Sequence, residues 1–129
     1  MIPFSVGVDL KGDKSAQVTV TGAMDAHTFE PFFRAMSQLI DAGTLWIVLD
    51  LRTMGYITSV GINFLLNLRL QRNKAGGEVV IVKPPPAVLN VLHMIGFLAA
   101  LVVVDTVEEG WTQIGRAKAP PGDAPKPTV

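Results

Sequence analysis

The chain has no cysteine, which excludes disulfide staples, thiolate metal ligands and thiol nucleophiles. It has no excess of charge of either sign, because 11 Lys and Arg balance 11 Asp and Glu. Such a chain carries no basic footprint for nucleic acid or for an anionic membrane. It also lacks a long apolar run. The longest, Met94 to Val104, is interrupted by Gly96 and falls short of the roughly 20 residues a membrane-spanning helix needs. Direct membrane insertion is therefore not expected. The opening Met1 to Gly12 has no basic stretch followed by an apolar one, so no secretory leader is expected and the expected location is cytoplasmic. Phosphate-cradling glycine loops are missing, and Ser59 does not sit in a GxSxG elbow. His27 and His93 lie far apart in the chain, and Asp25, Asp41 and Asp50 lack the spacing of a metal loop. No catalytic residue, metal or cofactor is expected, and the chain does not read as an enzyme.

What is present is apolar mass. Hydrophobic residues make up 49% of the 129, with a mean hydropathy of +0.39. A chain of that length forms one domain with a core that needs no staples. The surplus points to a generous core or to apolar surface left for a partner, and a homodimer stays open.

Two alternating segments, Phe4–Leu10 and Ala16–Thr21, flank the turn residues Lys11–Lys14 and predict a β-hairpin. A loop is expected over Gly22–His27. Phe29, Phe32, Phe33, Met36 and Ile40 then form a helical stripe. Pro31 fits only a first turn, so this helix should begin near Thr28, and Gly43 should end it. Leu45–Leu49 predicts a strand buried on both faces, followed by a polar turn over Asp50–Gly55. Thr58 and Ser59 precede an apolar helical pattern running to about Lys74, a hydroxyl pair placed as a helix cap would be. The strand Glu78–Val82 comes next. Pro86 opens a third helix with Val88, Val91, Leu92 and Ile95 on one face and Gly96 at its close. Leu101–Val104 is a short strand. Thr106 and Glu109 then form a capping box for a fourth helix with Val107, Trp111 and Ile114 inward. From Ala117 the chain is proline-rich. The expectation is an α/β domain over residues 1–116, a mixed β-sheet with an N-terminal β-hairpin and about four packed α-helices, and a tail over residues 117–129.

The region Ile47–Leu70 carries the functional signal. Unpaired N–H groups and the helix dipole make the start of the second helix a favourable place for negative charge. Ser59 there is either a plain cap or a phosphorylation site, and the local pattern leaves both open. The second helix is apolar at Val60, Ile62, Phe64, Leu65, Leu66, Leu68 and Leu70, more than one stripe buries. Ile62 or Leu66 is expected to be exposed beside Ser59, and with Asn63 to offer a partner surface.

Several segments together resemble the STAS domain family, and within it the bacterial anti-sigma factor antagonists, from about Phe4 to Arg116. Thr21-Gly22-Ala23-Met24-Asp25-Ala26-His27-Thr28 is similar to the family's T-G-E-[LI]-D-x-x-T segment. Tyr56-Ile57-Thr58-Ser59-Val60-Gly61-Ile62 is similar to [FY]-[MI]-D-S-[ST]-G-L. Ile47–Leu51, Gly76–Val80 and the run from Pro86 to Phe97 match further family segments in the same order. Thr58, Val60 and Ala23 stand where the family has Asp, a hydroxyl residue and Glu. The resemblance implies a STAS fold and a phosphorylation switch at Ser59, with Thr58 the alternative acceptor and Asp25 near it. It implies as partner an anti-sigma factor that is also a serine kinase of GHKL type, bound by the unphosphorylated form. The alternative is a STAS scaffold or subunit without a phosphoswitch, as in a stressosome or a lipid-transport complex.

Overall fold

The alternating opening folds as a hairpin of β1 (Ser5–Gly12) and β2 (Ser15–Met24). Its turn uses positive φ at Gly12, Asp13 and Lys14. The computed structural model describes residues 3–94, 96 and 98–119. Ile95 of the expected third stripe, Phe97, and the tail from residue 120 lie outside the described residues. The remaining strands and α-helices are α1 (Phe29–Asp41), β3 (Trp46–Ile57), α2 (Ser59–Lys74), β4 (Glu78–Val82), α3 (Pro86–Met94), β5 (Val102–Val104) and α4 (Val107–Lys118). The fourth helix thus runs two residues past the expected domain limit.

The five strands lie in chain order. β1 is antiparallel to β2, and the pairs β2–β3, β3–β4 and β4–β5 are parallel. The central apolar strands are buried on both faces because each face is covered by helices. Ile47, Leu49, Leu51, Val79 and Ile81 join the larger core with Phe32 and Met36 of α1, Ile62, Leu65 and Leu68 of α2, and Val88 and Leu92 of α3. Val48, Val80 and Val82 face the other way, onto Ile114 of α4 and the half-buried Trp46 and Trp111. Each of these two half-buried tryptophans also has a polar contact. Trp111 Nε1 donates to Gln17 Oε1 at 3.3 Å, and Lys118 Nζ sits 5.5 Å from the Trp46 ring centre. Half of the expected capping box forms at the fourth helix: Glu109 N–H donates to Thr106 Oγ1 at 3.0 Å, while Glu109 Oε2 accepts from Asp105 N–H at 3.2 Å rather than from Thr106 N–H.

Two expected boundaries are corrected. The segment Asp50–Gly55, expected as a turn, belongs to β3, and Gly22–Met24, expected as loop, belongs to β2. Thr21 pairs with Thr53, Gly22 with Met54, Ala23 with Tyr56 and Met24 with Ile57, across two register irregularities. In this part of β3 the buried residues are Leu51, Met54 and Ile57, three apart rather than two. The bulges absorb the extra residues, so the two-residue alternation that announces a strand is lost. Two carboxylates are held by this sheet. Asp50 is buried at β3, where burial pushes its pKa up but the Arg52 guanidinium and backbone N–H overcome it and hold it below the ordinary value. At the start of β4, burial raises the Glu78 carboxyl, and the Arg69 fork, Val79 N–H and Asn73 pull it lower.

Candidate functional site

α2 begins where the β2–β3 ribbon ends. Thr58 N–H donates to the Met24 carbonyl at 3.0 Å, which fixes the helix start against the end of β2. Thr58 occupies the cap position with extended backbone, yet its hydroxyl makes no capping bond. That oxygen is enclosed and has no partner, so the expected hydroxyl cap is not made by Thr58. The first α2 backbone bond is Ile62 N–H to Thr58 carbonyl, 3.0 Å. The N–H groups of Ser59, Val60 and Gly61 therefore precede the helical ladder.

Gly61 sets how closely this turn approaches the sheet. A Cβ there would lie 2.8 Å from Ile57 Cγ1 and 2.8 Å from Met24 Sδ, and both neighbours are core residues. Alanine is about 1 kcal/mol the better helix former, so with open space Gly61→Ala would stabilise the domain. We expect it instead to lower stability by about 1–3 kcal/mol through overpacking, read as a shift of the urea midpoint. A midpoint that rises would show that α2 does not sit this close.

Asp25 is half-buried in the turn before α1 and directly follows Met24, the residue bonded to Thr58. Its Oδ1 accepts from His27 N–H at 2.8 Å and Thr28 N–H at 3.1 Å. These two N–H bonds, above all that of His27, hold its carboxyl below its ordinary value. Thr28 Oγ1 accepts from Asp25 N–H at 2.8 Å and donates to the Ala23 carbonyl at 2.7 Å. Asp25 is thus an ionised group with a structural task at the α1 entry, in the loop beside the α2 start.

Ser59 is the first residue of α2 and is exposed. One face of the helix, with Gly61, Ile62, Leu65, Leu68 and Arg72, is buried against the sheet. Ser59, Asn63, Asn67 and Leu70 point outward, with Val60 at their edge. Ile62 corrects the sequence expectation: it is 1% exposed and belongs to the core, so it offers no surface to a partner. It lies only 100° from Gly61 around the helix and the sheet-facing side is wide enough to take both. Leu66 is half-buried and packs against the same core. Asn63 is exposed on the Ser59 face. The exposed apolar residues near Ser59 in the chain were not foreseen as surface: Val60 is 57% exposed and Tyr56, at the end of β3, 54%. Helical spacing from Ser59 already places Asn63 and Asn67 beside it; Tyr56 has no such signal, because it follows the segment Asp50–Gly55 expected as a turn.

The outer face of α2 continues into a groove of about 380 Å³ against α1, lined by Phe33, Ser37, Ile40, Asp41, Phe64, Asn67, Leu68 and Gln71. Phe64 packs edge-on against Phe29, Phe32 and Phe33, with ring centres 5.4–5.6 Å apart. His27 and His93 are exposed, His27 in the turn before α1 and His93 on α3. Among the described residues no three His, Asp or Glu side chains gather as a metal site, and no helix is long and apolar enough to cross a membrane.

The sequence model of the family described as "STAS domain" matches residues 8–110. A curated relative named "Putative anti-sigma factor antagonist BtrV", from Bordetella bronchiseptica, is 29% identical over 87 residues, 67% of this chain and 75% of the relative. A crystal structure of an anti-sigma factor antagonist from Mycobacterium paratuberculosis superposes with a TM-score of 0.74 at 22% identity, covering 89% of this chain and 95% of that one. The anti-sigma factor antagonist SpoIIAA in its unphosphorylated form gives 0.73 at 18% identity over 86% and 96%. The phosphorylated form of Bacillus SpoIIAA gives 0.67 at 17% identity over 85% and 99%. At these identities the superpositions establish a shared fold.

Proposed function

From the premise that the chain belongs to the STAS domain family, we propose that it is an anti-sigma factor antagonist, a protein-interaction switch set by phosphorylation of Ser59. The observation that carries the reading is the position of Ser59: exposed, at the first turn of α2, between the exposed Tyr56 and Val60. Unmodified, this end of α2 offers a small hydroxyl and the exposed Val60 to a docking partner, an anti-sigma factor that is also a serine kinase of GHKL type. Phosphate would bring roughly −1.5 to −2 charges. The dipole and free N–H groups of α2 tolerate them without unfolding. The partner's apolar contacts would then have to desolvate a dianion beside the ionised Asp25, which opposes binding. The relative named as an anti-sigma factor antagonist supports the same role.

The experiment is phosphate incorporation from ATP by the cognate kinase, followed by mass mapping and binding measurements. Labelling is expected at Ser59. Ser59→Asp should weaken kinase binding more than tenfold, about 1.4 kcal/mol, while Ser59→Ala keeps binding and resists labelling. Labelling at Thr58 alone would contradict the enclosed position of its hydroxyl. Intact binding with no labelling at either residue would favour a STAS scaffold or subunit without a phosphoswitch. The replacement of the family's Asp by Thr58 and of its hydroxyl residue by Val60 favours that second reading.

A further inference from the structure

The head of α2 offers a partner little apolar surface, but its outer face leads to more. Ser59, Asn63 and Asn67 are exposed and four residues apart, so they form one row along the helix. Asn67 lies about 12 Å from Ser59 along the axis and lines the groove of about 380 Å³ between α1 and α2. Inside this groove the surface is apolar. Phe33 is 47% exposed and stands edge-on to the half-buried Phe64, with ring centres 5.6 Å apart. The half-buried Ile40 and the buried Leu68 complete the apolar part. Among the described residues that line the groove, Asp41 is the only charged one. It is exposed, and it takes part in no ion pair among the described residues.

The charge of Asp41 selects the occupant. A helix C-terminus carries partial negative charge, which favours Lys or Arg in the last turn and opposes Asp. α2 follows this rule with Arg72 and Lys74, whereas the last turn of α1 has no basic residue and ends on Asp41. The dipole of α1 and the carboxylate therefore add, at the end of an apolar groove. A neutral or acidic ligand leaves that charge uncompensated, and a cation next to an apolar group answers both features. We infer that the α1–α2 groove is a second anchor for the anti-sigma factor, which seats a large apolar side chain against Phe33 and Phe64 and sets a Lys or Arg of the same segment beside Asp41. This anchor rests on the proposed role as an anti-sigma factor antagonist, but not on phosphorylation of Ser59. A standard interface buries roughly 800 Å² on each partner, a patch on the order of 30 Å across, so one partner covers both Ser59 and the groove. Side chains seated in such pockets carry most of the affinity of an interface. The groove thus supplies the apolar burial that the head of α2 lacks, and Ser59 supplies the control.

Titration calorimetry with the purified cognate anti-sigma factor tests it, with a melting curve on each variant. Asp41→Lys should weaken binding at least tenfold. Its melting temperature should hold or rise, because a base replaces an acid at a helix C-terminus. Asp41→Asn should weaken binding less and make it less sensitive to salt, since salt screens the attraction between exposed charges. Phe33→Ala should also weaken binding at least tenfold while the domain stays folded. Asp105→Lys makes the same change of charge just before α4, which packs on the other face of the sheet, and should leave the affinity as it was. Unchanged or tighter binding by Asp41→Lys, or wild-type affinity in Phe33→Ala, would overturn the groove as an anchor. A loss on Ser59→Asp alongside those results would leave the switch standing. Losses in both groove variants with none on Ser59→Asp would support the anchor and sink the switch alone. A wild type that binds no anti-sigma factor would overturn both.

Discussion

Ile62→Asp should unfold the domain, whereas Val60→Asp, two residues earlier on the same helix, should leave it folded. Ile62 is 1% exposed within the main core. A carboxylate there loses the side chain's burial, worth about 1.5–3 kcal/mol, and either buries a charge without a partner or takes up a proton to avoid it. The combined cost should exceed about 4 kcal/mol, a large share of the 5–15 kcal/mol a domain has. Val60 is exposed in the first turn of α2. An acid at that point gains about 0.3–1 kcal/mol from the helix dipole, so the melting temperature should hold or rise slightly. If the patch around Ser59 is the docking surface, Val60→Asp should nonetheless weaken partner binding more than tenfold. Thermal unfolding of both variants and titration calorimetry of Val60→Asp with the anti-sigma factor make the comparison. Equal destabilisation by the two would refute the orientation of α2. Unchanged affinity of Val60→Asp would move the docking surface elsewhere.

Gly77→Ala should be the more damaging of two neighbouring glycine substitutions. Gly76 has φ +92°, with nothing within 4 Å of an added Cβ. Its cost is conformational, on the order of 1–2 kcal/mol. Gly77 has no positive φ, and its difficulty is space. A Cβ there would overlap the Leu45 carbonyl oxygen and press on the Leu45 carbonyl carbon and Cα. That carbonyl accepts from Glu78 N–H at 3.0 Å, and Gly77 N–H is itself bonded to the Arg72 carbonyl at 2.6 Å. Backbone meets backbone on both sides, so no side chain can turn away. Relief requires moving β4 off β3 or breaking the close of α2. We expect a loss of about 3 kcal/mol or more, against the smaller loss at Gly76→Ala, both read from urea unfolding. A cost at Gly77 equal to or below that at Gly76 would show that the α2–β4 connection is looser than this.

By itself the sequence determined the alternation of strands and helices, the opening hairpin, the start of α1 at Pro31's first turn, the Thr106 cap of α4 and Ser59 at the head of α2. Each is a local matter. Side-chain period, the fixed φ of proline and the chemistry of unpaired helix N–H groups act over a few residues and need no partner elsewhere in the chain. The ordered segments resembling STAS domains also lay in the sequence. Tertiary structure decided the rest. Apolar and polar residues of α2 are mixed around its circumference, so its pattern named no single buried side. Only packing against the sheet placed Ile62 inside, left Val60 outside and set Leu66 between. The extension of β3 through Tyr56 was hidden because its bulges put buried residues three apart, and a bulge is stabilised by pairing with β2 rather than by its own residues. The enclosed Thr58 hydroxyl is likewise a result of tertiary packing. The Thr58–Met24 backbone bond fixes the helix start, and the local Thr-Ser pattern, which predicts a cap, does not contain that constraint.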